Sequence, residues 1–331
     1  MSEPFRISVA PMVDWTDTWF RRFARILTKK AWLYTEMITA PAILNGEKER
    51  LLGFSDAERP LVLQIATDSP EDAAAAVAIA EQWPYDEINL NIGCPSDKVQ
   101  KARFGACLMA EPELVRDILL AMKSATGKPV TVKHRLGIDD LDTYGHLHSF
   151  VQTVETARPE RYIVHGRIAL LDGLDPKQNR TVPPLRYEDV YRLKSDFPRI
   201  TVDINGGIRT AEEILSHRLH TDGVMIGREA YENPASMAGY DILIADSLEK
   251  APLCYRDVFL QINELDIRMR EAGIPPWRLY RHLSGLIKGK RGAKEFRRFL
   301  DAKAFKDPET APGIRDLIPL LPEETLDSVL R

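Results

Sequence analysis

Ile88-Asn89-Leu90-Asn91-Ile92-Gly93-Cys94-Pro95-Ser96 is the stretch on which the fold turns. An apolar run alternates with asparagine and stops at Gly-Cys-Pro, so a buried strand ends abruptly and leaves a thiol on the loop beyond it. In a sheet enclosed by helices, ligands bind at the carboxyl ends of the strands. Cys94 is therefore placed for chemistry, although a buried structural cysteine would present the same local sequence.

Outward from that strand, short apolar or β-branched runs recur at Ile7–Ala10, Trp32–Glu36, Leu61–Ala66, Glu87–Asn91, Val130–Arg135, Arg161–His165, Ile200–Asn205 and Gly223–Gly227. Between them lie helix-like segments at Asp17–Leu27, Pro70–Gln82, Glu111–Ala125, Tyr144–Ala157, Tyr187–Phe197 and Ala211–Arg218. Several open on good caps: Thr16-Asp17, Ser69-Pro70-Glu71, and Thr210 with Glu213 three residues on. Eight strands alternating with helices predict an α/β fold, a (β/α)8 TIM barrel. An open doubly wound sheet would have fewer strands, and no G-x-G-x-x-G follows the first one. After Asn233-Pro234 the strands disappear, and Val258–Glu271, Pro276–Lys288, Gly292–Ala304 and the segment around Leu317–Leu330 read as helices. The expected organisation is a catalytic barrel over 1–240 and a smaller C-terminal all-helical domain over 250–331.

Composition narrows the class. The 331 residues are 44% hydrophobic and 28% charged, with a net charge of −4. No apolar run approaches the roughly 18 residues of a membrane span. The N-terminus Met-Ser-Glu-Pro-Phe-Arg lacks the regions of a signal peptide. The three cysteines (Cys94, Cys107, Cys254) lack metal-site spacing, which predicts reduced thiols in a cytoplasmic protein without a structural metal. Cys107 and Cys254 read as packed thiols, and His282 as a helix-face residue. The charge is unevenly spread. From Trp277 to Lys306, ten Lys/Arg stand against Glu295 and Asp301, a local +8 that leaves −12 on the remainder. Such a segment suits a polyanionic partner, although a solvated helix face is the commoner reason for a basic run.

The strand ends carry polar groups. Pro11 and Met12 follow the first strand, Gln64 sits in the third, Asn91 caps the fourth, Lys133, His134 and Arg135 lie in the fifth, and Val164-His165-Gly166-Arg167 ends the sixth. Singly, each reads as a satisfied core group. Together they call for a polar ligand at that end. Asn205-Gly206-Gly207 closes strand seven, and Gly227-Arg228 closes strand eight before a short Glu229–Tyr231 turn. In such barrels these two loops commonly grip a phosphate, through close backbone N–H groups and a bidentate cation. The set suits flavin mononucleotide: Lys133 to hold negative charge near the N1–C2 edge of a reduced flavin, His165 to bond a flavin carbonyl or phosphate oxygen. The alternative for Lys133 is an ion pair with a carboxylate such as Glu36.

Motifs in order along the chain resemble the tRNA-dihydrouridine synthases. They are Ala-Pro-Met-Val-Asp-Trp-Thr-Asp (10–17), Asn-Ile-Gly-Cys-Pro-Ser (91–96), Phe-Gly-Ala-Cys-Leu-Met (104–109), Val-His-Gly-Arg (164–167), Asn-Gly-Gly-Ile (205–208) and Gly-Arg-Glu-Ala (227–230). Leu-Tyr-Thr-Glu-Met (33–37), Asn-Arg (179–180) before Pro-Pro-Leu (183–185), and Arg-His-Leu-x-Gly-Leu (281–286) resemble the A-type branch. The likeness runs from the first strand to about Leu300. It implies an FMN-binding barrel followed by a helical tRNA-binding domain; a monomer with no membrane attachment is expected. The implied activity is reduction of uridine to 5,6-dihydrouridine in the tRNA D-loop, at positions 20 and 20a. By the same resemblance, NADPH reduces the flavin, hydride passes from flavin N5 to uracil C6, and Cys94 protonates C5 from the opposite face. The FMN ligands implied are Pro11, Met12, Val13, Gln64, Lys133, His165, Asn205, Gly206, Gly207, Gly227 and Arg228. Asn91 would lie near the flipped uracil or the flavin, Arg167 would bind substrate, and Lys177, Arg180, Arg281, Arg297 and Arg298 would contact the tRNA backbone or orient it. The base must leave its stack to reach the flavin. Three positions depart from the A-type pattern: Gly166 and Ile168, where alanine and lysine are usual, and Ala102, where a glycine is common. A flavin reductase of free pyrimidines or a small enone would share the flavin residues but gives no reason for the +8 segment. A non-catalytic RNA-binding protein on a degenerate barrel is the other alternative.

Overall fold

The computed structural model describes residues 5–175, 177–245, 253–301 and 312–330, with only the backbone of Asp97 and Lys98. Eight strands appear: β1 (Arg6–Val9), β2 (Leu33–Thr39), β3 (Leu61–Ala66), β4 (Glu87–Ile92), β5 (Val130–Arg135), β6 (Tyr162–His165), β7 (Val202–Asn205) and β8 (Gly223–Ile226). All pair in parallel, in the order β1-β8-β7-β6-β5-β4-β3-β2. The ring closes just before β2, where Trp32 N donates to Ile7 O (2.9 Å) and Val9 N to Trp32 O (2.8 Å). This is the TIM barrel predicted from the alternation, with most strand bounds within two residues of the prediction.

Parallel barrel strands are buried on both faces, and β3 and β4 are buried at every position. The two faces differ in chemistry. Ile88, Leu90 and Ile92 alternate with Glu87, Asn89 and Asn91, whose side chains bond to neighbouring strands' side chains inside the barrel. At the amino ends of the strands two buried ion pairs fill the interior: Arg6 with Glu87 (2.7 Å) and Arg161 with Asp203. Gly223 makes room for them, since a Cβ there would fall 2.4 Å from Asp203 Oδ1. Burial pushes the Asp203 carboxyl up, against the pull of Arg161 and Arg6.

The predicted caps form. Asp17 accepts from Trp19 N and Phe20 N ahead of the helix Thr18–Leu27, Ser69 from Asp72 N ahead of Pro70–Ala80, and Thr210 with Glu213 closes a capping box on Ala211–Arg218. Short helices at Ala40–Asn45, Lys48–Leu52 and Asp97–Lys101 escape the sequence reading because one turn leaves no periodicity to detect. The turn expected at Glu229–Tyr231 is a short helix, Arg228–Glu232.

The described residues form two compact units: 5–13 with 32–227, which is the barrel, and 14–31 with those described after 227. The second unit holds Thr18–Leu27, Arg228–Glu232, Tyr240–Ala245, Tyr255–Glu271, Trp277–Tyr280, Ala293–Leu300, Ile314–Leu317 and Glu323–Leu326 as helices. Phe20, Phe23, Phe259, Leu279, Leu283, Leu286 and Phe296 are buried in it. The Asp241 carboxylate accepts from the Thr28 hydroxyl and from the N–H groups of Lys29 and Lys30, closing the end of the first helix. The helix expected over Pro276–Lys288 is α-helical only to Tyr280 and continues as successive tight turns, with His282 N bonding to Leu279 O and Lys288 N to Gly285 O. Gly285 sets this path: a Cβ there would fall 2.4 Å from Glu232 O, an approach that only glycine permits. His282 is buried rather than on a helix face, with Nε2 2.9 Å from Asp17 Oδ1 and its ring edge-on to Tyr231 and Phe20. Burial pushes Asp17 up, but the bond and charge of His282 outweigh it and hold the carboxyl below its usual value.

Candidate active site

Strand β4 delivers Cys94 to the carboxyl end of the barrel. Asn91 Oδ1 accepts from both Gly93 N and Cys94 N (3.1 Å each), so the strand's last inward side chain folds the loop back over itself. Cys94 O accepts from Ala106 N at 2.9 Å, a contact that requires Gly105: at φ +69° its Cβ would lie 2.5 Å from Cys94 O. The thiol is half-buried, 3.5 Å from Ser96 Oγ, and packs near Met37, Ala66, Val99 and Phe104.

Beside it stands Lys133, opposite Asn91 in the β4–β5 register. Its Nζ donates to Asn205 Oδ1 at 3.1 Å, and no carboxylate pairs with it among the described residues, so the expected alternative of a Glu36 ion pair is not what the barrel holds. Burial, with repulsion from Arg135, brings the ammonium from its usual 10.5 to about 7, and only the Cys94 sulfur pulls the other way. Asn205 is oriented for this bond by its own amide, which donates to Met225 O at 2.7 Å.

His165 ends β6 next to Asn205. The two glycines that follow Asn205 have φ +111° and +78°. A Cβ on Gly206 would sit 3.0 Å from the His165 ring, and one on Gly207 would sit 2.6 Å from Leu185 and 2.9 Å from the Tyr187 hydroxyl. That hydroxyl donates to Gly206 O at 2.6 Å and pins the turn. Gly227, by contrast, would meet only ordinary contacts with Ala10 and Met12 at 3.8 and 3.9 Å. Gln64 is fully buried in β3 and bonded to Asn91 (2.8 Å). Pro11, Met12 and Val13 follow β1, with Val13 exposed.

The barrel thus brings together Gln64, Asn91, Cys94, Lys133, His165, Asn205, Gly206 and Gly207. Arg167 is half-buried and donates to Pro183 O, while Lys177 and Arg180 are exposed around the short 3-10 turn Gln178–Arg180. Arg228, Arg281, Arg297 and Arg298 belong to the helical unit. There Arg281 donates to Asp14 O, and Arg297 and Arg298 lie exposed on the helix Ala293–Leu300, whose buried residue is Phe296. Lys303 and Lys306 lie outside the described residues.

The model of the dihydrouridine synthase family matches residues 8–316. The chain belongs to that family. Among similar proteins, the "tRNA-dihydrouridine(20/20a) synthase" of Synechocystis sp. is 50% identical over 294 residues, covering 89% of this chain and 88% of that protein. The protein of the same name from Vibrio parahaemolyticus is 44% identical over 326 residues, 98% and 99% of the two chains. A solved structure of histamine dehydrogenase from Rhizobium sp. 4-9 shares the fold at a TM-score of 0.53 and 11% identity, over 78% of this chain and about half (48%) of that one.

In this dihydrouridine synthase family member, Arg135, one of the polar groups of the fifth strand, has a role that the sequence does not assign. Its guanidinium donates to Gly93 O, Ile168 O and Asn179 O, each at 3.0 Å, tying the Cys94 loop to two segments after β6. Burial brings Arg135 down to about 10, while the Cys94 sulfur favours its charge. The signal was present in Thr131-Val132-Lys133-His134-Arg135, where every second residue is polar, but the acceptors are backbone atoms distant in sequence. His134, the outward member of that run, bonds Arg135 O at 2.7 Å and packs on Phe150 and Tyr162.

Proposed function

We propose that this chain reduces uridine to 5,6-dihydrouridine in the D-loop of tRNA, at positions 20 and 20a as in the names of its relatives, with FMN as cofactor and NADPH as reductant. The observation that carries the reading is a half-exposed thiol beside a buried lysine that lacks a carboxylate, in the barrel that also holds the double-glycine cradle.

The donor set fits the cofactor. Buried ammonium groups are stable when an anion or polar acceptors replace the water removed by burial, and Lys133 has one neutral oxygen among the described residues. Gly206 and Gly207 hold their backbone where side chains would fill the space, which suits phosphate oxygens. Pro11, Met12, Val13, Gln64, His165, Asn205 and Gly227 complete the barrel's contribution. Bound there, a reduced flavin supplies the hydride for the uracil C5–C6 double bond.

The chain's own residues manage the proton. Cys94 gives the proton of its thiol to C5, and the positive charge of Arg135 offsets the thiolate left behind. Asn91 holds the loop so that the sulfur's position is set by two backbone bonds. Asn91 and Arg167 orient the base. In the helical unit, exposed Arg281, Arg297 and Arg298 bind tRNA phosphates, as do Lys177 and Arg180 of the barrel. The protein works as a cytoplasmic monomer, and among the described residues no helix is long and apolar enough to cross a membrane.

The test is to incubate the full-length protein with FMN, NADPH and tRNA and to map dihydrouridine by mass spectrometry. Dihydrouridine at 20 and 20a is expected, with Cys94→Ala slower by about 10²-fold or more and unchanged in flavin content and in flavin reduction by NADPH. Unmodified tRNA, or a fully active Cys94→Ala, would overturn the reading.

A further inference from the structure

Beneath Cys94 runs a line of hydrogen bonds whose two ends are chemically unambiguous. One end is the Glu87 carboxylate, ion-paired to Arg6 at 2.7 Å and able only to accept. The other end is the backbone N–H of Gly93 and Cys94, able only to donate. Between them the direction is forced. Thr131 Oγ1 donates to Glu87 Oε1 at 2.7 Å, so its lone pair must accept from Asn89 Nδ2, 2.9 Å away. Asn89 then turns its oxygen to Gln64 Nε2 at 2.8 Å. Gln64 turns its oxygen to Asn91 Nδ2, also at 2.8 Å, and Asn91 turns its own to the two loop amides. Flipping any one amide would set N–H against N–H or oxygen against oxygen on both of its sides.

We propose that Glu87, Thr131 and Asn89 are positioning residues: a one-way relay that fixes the amide polarity of Gln64 and Asn91 and, through them, the placement of the Cys94 loop. The relay rests on the proposed function only for its consequence in turnover; the bonds themselves do not depend on it. Every member is buried, from 0% exposure for Gln64 and Asn89 to 8% for Asn91, so water does not substitute for a broken link. The fixed polarity has a chemical meaning. Each amide nitrogen of Gln64 and Asn91 carries two hydrogens, and the relay uses one of each. What remains for a ligand is the second amide hydrogen of Asn91, the most exposed member, a donor suited to a ring carbonyl of the kind uracil carries.

Thr131→Val keeps the shape and deletes the hydroxyl link. The readouts are amide hydrogen exchange at Gly93 and Cys94 in the full-length protein without tRNA, and kcat and KM for dihydrouridine formation. Expected for Thr131→Val are exchange at both amides about tenfold faster and kcat about tenfold lower with KM for tRNA unchanged; Thr131→Ser, which restores the hydroxyl, should return both to wild type. Wild-type exchange at Gly93 and Cys94 in a folded Thr131→Val protein, or no rescue by Thr131→Ser, would overturn the relay. If Thr131→Val does not fold, Asn89→Leu breaks the neighbouring link and is judged by the same exchange readout. A wild-type protein that makes no dihydrouridine would defeat the proposed function, while the exchange pattern would still decide the relay.

Discussion

Lys133 shows how a residue can be obvious in type and hidden in state. The sequence places a lysine inside a barrel strand and leaves open whether it faces a carboxylate or a ligand; the structure gives it one amide oxygen and no carboxylate among the described residues. That state has a pH signature. Burial brings its pKa from 10.5 to about 7, so between those values the unfolded chain holds a proton that the folded chain does not. Stability therefore rises with pH across that window, and below pH 7 the full cost of burying the charge is present. Lys133→Met removes the titrating group. In thermal melts of the flavin-free protein, Lys133→Met should be more stable than wild type at pH 7, with the gap narrowing by pH 9.5. A gap independent of pH would mean that Lys133 is charged and satisfied throughout. Cys94 was legible in the same partial way: Gly-Cys-Pro after a strand puts a thiol on the loop beyond it, but a buried structural cysteine would read alike, and the structure makes it half-buried. Arg135 was not, because its partners are carbonyls supplied by loops that only the barrel brings near.

Among elements, strands were easier to read than helices, and the reason is geometric. An eight-stranded barrel repeats one pattern, and each copy supports the others, so bounds such as Leu61–Ala66 and Val130–Arg135 agree in full. The tail has no such repetition, and Gly285 lets Pro276–Lys288 run on as tight turns for a reason, the nearness of Glu232 O, that lies far away in sequence. The same contrast separates two glycine turns in the barrel. Asn205-Gly206-Gly207 and Gly227 look equally like phosphate loops on paper. Gly206 and Gly207 have positive φ and crowded Cβ positions, while Gly227 has neither. Gly207→Ala adds backbone strain of about 1 kcal/mol and a clash with Leu185 and Tyr187, so the turn must move. The expected result is FMN affinity reduced by about tenfold or more in Gly207→Ala, read by flavin fluorescence titration, with a melting temperature lowered by a few degrees. Gly227→Ala should keep a wild-type melting temperature. Equal flavin affinity in Gly207→Ala and wild type would remove the cradle from the cofactor site.

At the scale of the whole molecule, charge is the property that composition hides. A net −4 conceals a local +8, and the described part of that segment displays Arg278, Arg281, Lys288, Lys290, Arg291, Lys294, Arg297 and Arg298 all exposed. Some of this charge is already engaged: Arg291 pairs with Glu324 at 3.1 Å, and Arg281 reaches Asp14 O. Arg297 and Arg298 sit on an exposed helix face whose buried side is Phe296. Reversing their charge should therefore leave the fold intact, because surface charges contribute little to stability. It should strongly affect a polyanion, because each phosphate that a cation neutralises releases counterions and steepens the dependence of affinity on salt. For Arg297→Glu with Arg298→Glu, filter binding of tRNA across a salt series should give an affinity lower by about tenfold or more at low salt. The log–log salt slope should be shallower by about one for each phosphate left without its arginine. Flavin reduction by NADPH, which needs no tRNA, should be unchanged and so reports that the barrel is intact. A variant with the wild-type slope would place the tRNA on other cations, and the exposed helix Ala293–Leu300 would then be no more than a solvated face.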